Sequence, residues 1–162
     1  ITGIRAGLPN VYLMPHQNNP HPERYWEAIY STAWAFAMVV HRIPPGPDWF
    51  TPDRITNAVY HSTAGKVEIV EHSPATVTFQ ALDLPATEGW VEISSTKGNF
   101  ARQKLLNDTW GSPETPMPED VFHGKFMRVT APSIGELGAQ SLYETLIDID
   151  NCEAVSFIVG QM

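Results

Sequence analysis

Residues 28–40 read AIYSTAWAFAMVV, and this apolar stretch decides the predicted fold class. Over residues 22–41, apolar side chains recur at helical spacing, and further large apolar residues occupy the opposite side. The pattern predicts one helix that is hydrophobic nearly all round. Because such a helix is stable only when other elements cover it on several sides, we expect it at the centre of a core, with Trp26 and Trp34 buried.

The same stretch is too short to cross a membrane. Its thirteen residues would rise about 20 Å as a helix, whereas the hydrocarbon core of a bilayer is about 30 Å thick. We therefore predict no membrane insertion.

The composition is that of an ordinary globular domain. Of the 162 residues, 43% are hydrophobic and 17% are charged, which provides a core and argues against intrinsic disorder. The formal net charge of −8 makes nucleic acid an improbable partner, because affinity for phosphate comes mainly from Lys and Arg. Cys152 is the single cysteine, so the chain has no internal disulfide framework, which favours a cytoplasmic or virion-associated protein.

The N-terminal residues differ in composition from those that follow. Pro9, Pro15 and Pro20 lack backbone donors and disfavour helix at the residue before each of them. We predict an extended, proline- and asparagine-rich arm over residues 1–21, with one short strand at residues 11–14. A single α+β domain is predicted over residues 22–162.

Residues 51–108 predict a short helix followed by a sheet. Thr51-Pro52-Asp53 is typical of a helix start, with a capping hydroxyl and a proline at the first helical position. Three antiparallel strands and then a short helix are predicted after it. The strands are residues 66–71, 75–82 and 90–94, and the helix is residues 99–108.

The C-terminal residues predict a strand, a helix and a second strand. Residues 123–130 are strand-like, Ser133 with Glu136 forms a capping box, and residues 153–159 are again strand-like. This order is typical of a parallel crossover. The predicted fold is therefore α+β, with a mixed, mostly antiparallel sheet, helices mainly on one face and a C-terminal β-α-β unit.

Two groups of residues are candidates for binding small ligands. His16, His21 and Glu23 combine two imidazoles with a carboxylate, a donor set that binds iron, manganese or zinc, although their spacing matches no established pattern. The alternative interpretation is a polar segment with imidazoles facing solvent, and we expect no cofactor. Gly98 and Asn99 begin the helix predicted after the third strand, where backbone amides bind a phosphate or carboxylate, although a tight turn explains the glycine equally well.

The predicted order of elements is similar to that of acyl-CoA-dependent N-acetyltransferases. Ala139, Leu142 and Tyr143 resemble the alanine and leucine-tyrosine spacing in the last helix of that family. The resemblance implies a transferase that binds an acyl-CoA. Residues 95–101 depart from it, because they lack the second small residue of the family's pyrophosphate-binding loop.

Two functional hypotheses follow from these observations. The first is a non-enzymatic assembly protein, a subunit of a virion or another homo-oligomer, that contacts its neighbours through the arm and the proline-rich loop at residues 111–120. Trp49, Phe50 and Trp110 lie beside turns and are the candidate interface residues, because interfaces favour aromatic side chains. The alternative interpretation is that these side chains pack within the domain. The alternative is a small enzyme, either an acetyltransferase-like protein or a metal-dependent enzyme.

Overall fold

The apolar stretch forms two helices in the structure, a computed structural model that describes residues 1–151. They are α1 (Tyr25–Tyr30) and α2 (Thr32–Val40), and Ser31 between them has an extended backbone. The Ser31 hydroxyl accepts a hydrogen bond from the backbone N of Trp34 at 2.9 Å, which caps α2. The single predicted helix is therefore wrong at Ser31, where a capping serine begins a second helix.

Helix α2 lies at the centre of the core of the first unit. Trp34 and Met38 are fully buried, as predicted for Trp34. They pack with buried residues of α3 (Pro52–Ile55) and α4 (Ala58–Ala64). The prediction that Trp26 is buried was wrong, because α1 buries only Ala28 and leaves Trp26 53% exposed.

A four-stranded mixed sheet confirms the α+β class. Its spatial order is β2-β1-β3-β4. Strand β1 pairs in parallel with β2 and antiparallel with β3, and β3 pairs antiparallel with β4. The four strands are β1 (Gly3–Leu8), β2 (Val67–Glu71), β3 (Glu88–Ser95) and β4 (Gly98–Leu105).

The secondary structure of the N-terminal residues differs from the prediction. Strand β1 is an inner strand of the sheet rather than part of an extended arm, and Ile4 and Ala6 are buried. The strand predicted at residues 11–14 was also wrong, because a 3-10 helix occupies Asn10–Leu13. The prolines keep the residues from Pro9 to Pro20 out of α-helix, whereas the segment before Pro9 pairs with two neighbouring strands.

Two segments in the middle of the chain, one predicted as a strand and one as a helix, have each other's predicted secondary structure. Residues predicted as a strand at 75–82 lie mainly in helix α5 (Ser73–Gln80), in which a proline occupies the first turn. Residues predicted as a helix at 99–108 lie mainly in β4, because Gly98, at φ 128, completes a tight turn that pairs β4 with β3. Strand β2 is parallel to β1, so the predicted antiparallel meander is also wrong.

The chain forms two compact units, of which the first is Ile1–Pro116 and the second begins at Met117. The second unit contains α6 (Glu119–Ile147), which is interrupted at Gly135, where φ is 77°. The strand predicted at residues 123–130 was therefore wrong, and with it the β-α-β unit. The strand predicted at residues 153–159 lies outside the described residues.

The two segments of α6 pack against each other within the second unit. The Tyr143 ring centroid lies 4.5 Å from that of His123 and 5.4 Å from that of Phe126. A hydrogen bond of 2.9 Å joins His123 Nε2 to Gln140 Oε1. Because these pairs cross the break at Gly135, α6 forms a helical hairpin. Within residues 1–151, no helix is both long enough and apolar enough to span a bilayer.

Candidate functional site

The three residues of the predicted metal site do not converge in the structure. The His16 ring lies edge-on to Tyr30, with centroids 6.1 Å apart, whereas the His21 ring lies 5.6 Å from His61. Glu23 precedes α1, and its backbone N donates to Glu27. In the part of the chain that the structure describes, no three His, Cys, Asp or Glu side chains are placed to hold a metal ion.

Gly98 and Asn99 belong to the β3-β4 hairpin rather than to a helix start. Ser95 pairs with Gly98 and Ser94 with Asn99, so that only two residues form the turn. The Ser95 hydroxyl accepts from the backbone N of Lys97 and donates to the Gly98 carbonyl. The helix N-terminus on which the predicted anion site depended is therefore not present at this position.

The candidate interface residues have different environments. Trp49 and Phe50 are partly buried against the core, and the Trp49 indole N–H donates to the Ile43 carbonyl at 3.0 Å. Trp110 is 58% exposed. Trp49 and Phe50 therefore contribute to packing within the first unit, and an interface role for the three residues stays a prediction.

A group of exposed apolar side chains lies on α1, and we call it the α1 surface: Tyr25, Trp26, Ile29 and Tyr30. Their exposed fractions are 58%, 53%, 44% and 55%. Residues four apart lie on the same side of a helix, so Tyr25 neighbours Ile29 and Trp26 neighbours Tyr30. The four side chains therefore form one continuous apolar surface. The His16 ring contacts Tyr30 at one end of this surface.

A cavity of about 230 Å³ lies at one end of the sheet, where β1 ends and β3 begins. Its lining residues come from the end of β1, the 3-10 helix after it, α5, the start of β3 and the end of β4. Most of the surface that these residues expose to the cavity is apolar. The apolar residues are Leu8, Pro9, Phe79, Leu105 and Leu106, and the remaining lining residues are Tyr12, Thr87, Glu88, Gly89, Lys104 and Thr109.

Beside the cavity, a hydrogen-bonded group links three strands. His72 Nε2 bonds with Glu88 Oε1 at 2.8 Å, and Gln103 donates to the other carboxylate oxygen. His72 directly follows β2, and Glu88 begins β3. Their hydrogen bond therefore connects the strands on either side of β1. The hydrogen bonds from His72 and then from Gln103 lower the pKa of Glu88 below its ordinary value of 4.5.

This pKa shift predicts how Glu88 affects stability at different pH values. A carboxyl group whose pKa is lower in the folded state stabilises the protein above its unfolded pKa. That contribution disappears as the pH falls through the folded pKa. We therefore expect Glu88→Gln to lower the free energy of unfolding at pH 7. The difference in this free energy between the variant and the wild type should shrink as the pH falls from 5 to 2.

Denaturant unfolding monitored by circular dichroism at a series of pH values measures this difference. Glu92→Gln is the matched control for net charge, because Glu92 lies two pleats further along the same strand. A Glu88→Gln difference that stays constant from pH 7 to pH 2 would contradict the assignment of these hydrogen bonds.

Comparison with known proteins gives no family for this chain. No protein-family model matches the sequence, and no curated protein matches it significantly. The element order also differs from the predicted acetyltransferase-like layout, because α5 lies between β2 and β3, and a helical hairpin follows β4. Ala139, Leu142 and Tyr143, which carried that resemblance, are the buried residues of α6.

The sequence alone did not indicate the cavity or the α1 surface. Leu8, Gly89 and Lys104 are separated by many residues, and only the strand register brings them together. The sequence did not indicate the α1 surface, because residues 22–41 have the pattern of one continuous apolar helix. Ser31, followed three residues later by the Trp34 amide that it caps, was the signal for the break.

Proposed function

We propose that this protein functions by association with a protein surface through the α1 surface, and that a second copy of the chain is the partner. The observation that carries this proposal is the exposure of two neighbouring pairs of apolar side chains on one short helix, Tyr25 with Ile29 and Trp26 with Tyr30. Exposed patches of this kind mark interaction sites in soluble proteins.

The size of the α1 surface supports an association. Three aromatic residues and one isoleucine, each about half exposed, present roughly 400 Å² of side-chain surface. A standard interface buries about 800 Å² on each partner. The α1 surface would therefore supply about half of such an interface, and it has the Tyr and Trp content of an energetic centre.

The fold beneath the α1 surface also favours association. Ala28 is buried against the core, and the backbone N of Thr32 donates to the Gln17 carbonyl at 2.8 Å. The Tyr25 ring rests edge-on against Phe50, with centroids 5.7 Å apart. These contacts hold the helix in place, so the exposed aromatic side chains are ordered before a partner binds, which reduces the entropic cost of binding.

The experiment compares self-association of the wild type with that of Trp26→Gln/Tyr30→Gln. Sedimentation equilibrium at about 100 μM, well above the Kd of a micromolar complex, should give a wild-type mass of at least twice 18.0 kDa. The double variant should sediment at 18.0 kDa, because it removes two of the three exposed aromatic side chains of the surface. Glutamine is a good helix former, so both substitutions are compatible with α1.

The matched control is Val59→Gln/Val77→Gln, which replaces two exposed apolar residues on other helices. Their exposed fractions are 57% and 65%. The control should keep the wild-type mass. A wild type that sediments as a monomer would contradict self-association, and an equal loss of mass in both double variants would contradict the assignment to α1.

A further inference from the structure

We propose that the cavity at the end of the sheet is a binding site for a small carboxylate with an apolar body, with Lys104 as its cationic partner. This inference does not depend on the α1 surface and concerns different residues. It rests on the shape of the cavity, on its lining side chains and on one cationic side chain among them that forms no ion pair within residues 1–151.

Three neighbouring strands each contribute a residue to the lining of the cavity. Gly89 pairs with Lys104 across β3 and β4. A Cβ atom added at Gly89 would lie 3.3 Å from Leu8 Cδ2, so the Leu8 side chain leans over the glycine. Leu8, Gly89 and Lys104 therefore form a row on one face of the sheet, and all three line the cavity.

The walls of the cavity suit an apolar body. Phe79 reaches it from α5, and Leu105 and Leu106 reach it from the end of β4. At about 230 Å³ the cavity is smaller than the roughly 300–1,000 Å³ sites that hold drug-sized ligands. The ligand is therefore the size of one aromatic ring with a short chain.

Some polar side chains of the cavity lining already form hydrogen bonds within the protein. The hydroxyls of Thr87 and Thr109 donate to the carbonyls of Asp83 and Leu106. The Glu88 carboxylate bonds with His72 and Gln103, and neither of these residues lines the cavity.

Lys104 and Tyr12 remain as the groups that can bind a ligand. The Lys104 ammonium bonds with a backbone carbonyl, that of Asp108, at 3.1 Å, and no carboxylate lies within ion-pair distance of it among residues 1–151. The Tyr12 hydroxyl has no hydrogen-bond partner within the same residues. A cation and a hydroxyl donor beside apolar walls fit a carboxylate, because charge-assisted hydrogen bonds are about twice as strong as neutral ones.

Three probes with the same body and different head groups test this inference: 3-phenylpropionate, 3-phenylpropanol and 3-phenylpropylamine. Titration followed by NMR of the isotope-labelled protein should show the carboxylate binding with a Kd of about 1 mM, as expected for a ligand of this size. The alcohol and the amine should bind at least about tenfold more weakly, with the largest shifts of the carboxylate complex at Gly89 and Leu106.

Two variants locate the binding within the cavity. Lys104→Met keeps an apolar stem and removes the charge, and it should weaken carboxylate binding about tenfold, equivalent to about 1.4 kcal/mol. Gly89→Val places side-chain atoms against Leu8, which also lines the cavity, and it should abolish the shifts. Lys97→Met is the matched control, because Lys97 lies in the turn at the far end of the same hairpin, and it should bind like the wild type.

Several results would overturn the inference. Binding of the amine or the alcohol as tight as that of the carboxylate would show that the head group is not recognised by Lys104. The same conclusion would follow if Lys104→Met kept the wild-type affinity. If none of the three probes binds, the cavity is not a binding site for a small carboxylate. Because Lys104 is exposed, its variant is expected to fold even if Gly89→Val does not.

Discussion

Trp34→Ala is expected to lower the free energy of unfolding by about 3–5 kcal/mol, the range measured for removal of large buried side chains. Trp34 is fully buried in α2, and its ring contacts those of Tyr60 and His61, with centroids 6.1 and 5.3 Å away. Its indole N–H donates to the Trp49 carbonyl at 2.9 Å. Alanine would leave a cavity at the centre of the core and an unpaired carbonyl beside it.

Equilibrium denaturation followed by circular dichroism measures this loss. Trp110→Ala is the matched control, because it removes the same side chain from a site that is 58% exposed, and it should cost less than about 1 kcal/mol. A loss below about 1 kcal/mol for Trp34→Ala would mean that α2 is not the centre of the core.

Gly7→Ala is expected to destabilise the protein by about 1–3 kcal/mol, the usual cost of overpacking. A Cβ atom at Gly7 would lie only 2.1 Å from Cε2 and Nε1 of Trp90, whose indole rests on the glycine from the neighbouring strand. Arg5 also contacts the indole, with its guanidinium carbon 5.6 Å from the ring centroid. The added methyl group would therefore have to displace the indole from Gly7 and from Arg5.

Two further variants separate this clash from a general effect of alanine in β1. Gly3→Ala is the control within the same strand, since no atom lies within 4 Å of a Cβ at Gly3, and it should leave stability nearly unchanged. In a Trp90→Ala background, Gly7→Ala should be nearly neutral, because the indole is gone. Equal losses with and without Trp90 would show that the indole is not the cause.

How well the sequence predicted each element depended on whether local signals were sufficient. The helix start at Thr51-Pro52 and the strand at residues 66–71 were predicted near the elements observed, because a proline at the first helical position and β-branched residues act over a few positions. The Thr51 hydroxyl predicted to cap this helix makes no capping hydrogen bond. The strand predicted at residues 75–82 and the helix predicted at residues 99–108 were both wrong. The first has strand-like alternation but follows a proline in the first turn of a helix, and the second is held in the sheet by its pairing with β3.

The candidate sites depended even more on distant contacts. His16, His21 and Glu23 are close in the sequence, yet the two imidazole rings contact different residues, because a bent chain with a proline before each histidine separates them. Leu8, Gly89 and Lys104 are far apart in the sequence and meet in one row, because neighbouring strands in a sheet lie only about 5 Å apart. Proximity along the chain was therefore a poor guide to proximity in space.

The amino-acid sequence by itself determined that this protein has a core of α+β type around Trp34, since composition and hydrophobic spacing depend only on the order of residues. The tertiary structure alone decided that residues 3–8 are an inner strand, that α1 presents aromatic side chains to solvent and that Leu8, Gly89 and Lys104 line one cavity. These features arise from strand register and from the direction in which each helix packs. Both are set by contacts between residues that no local pattern connects.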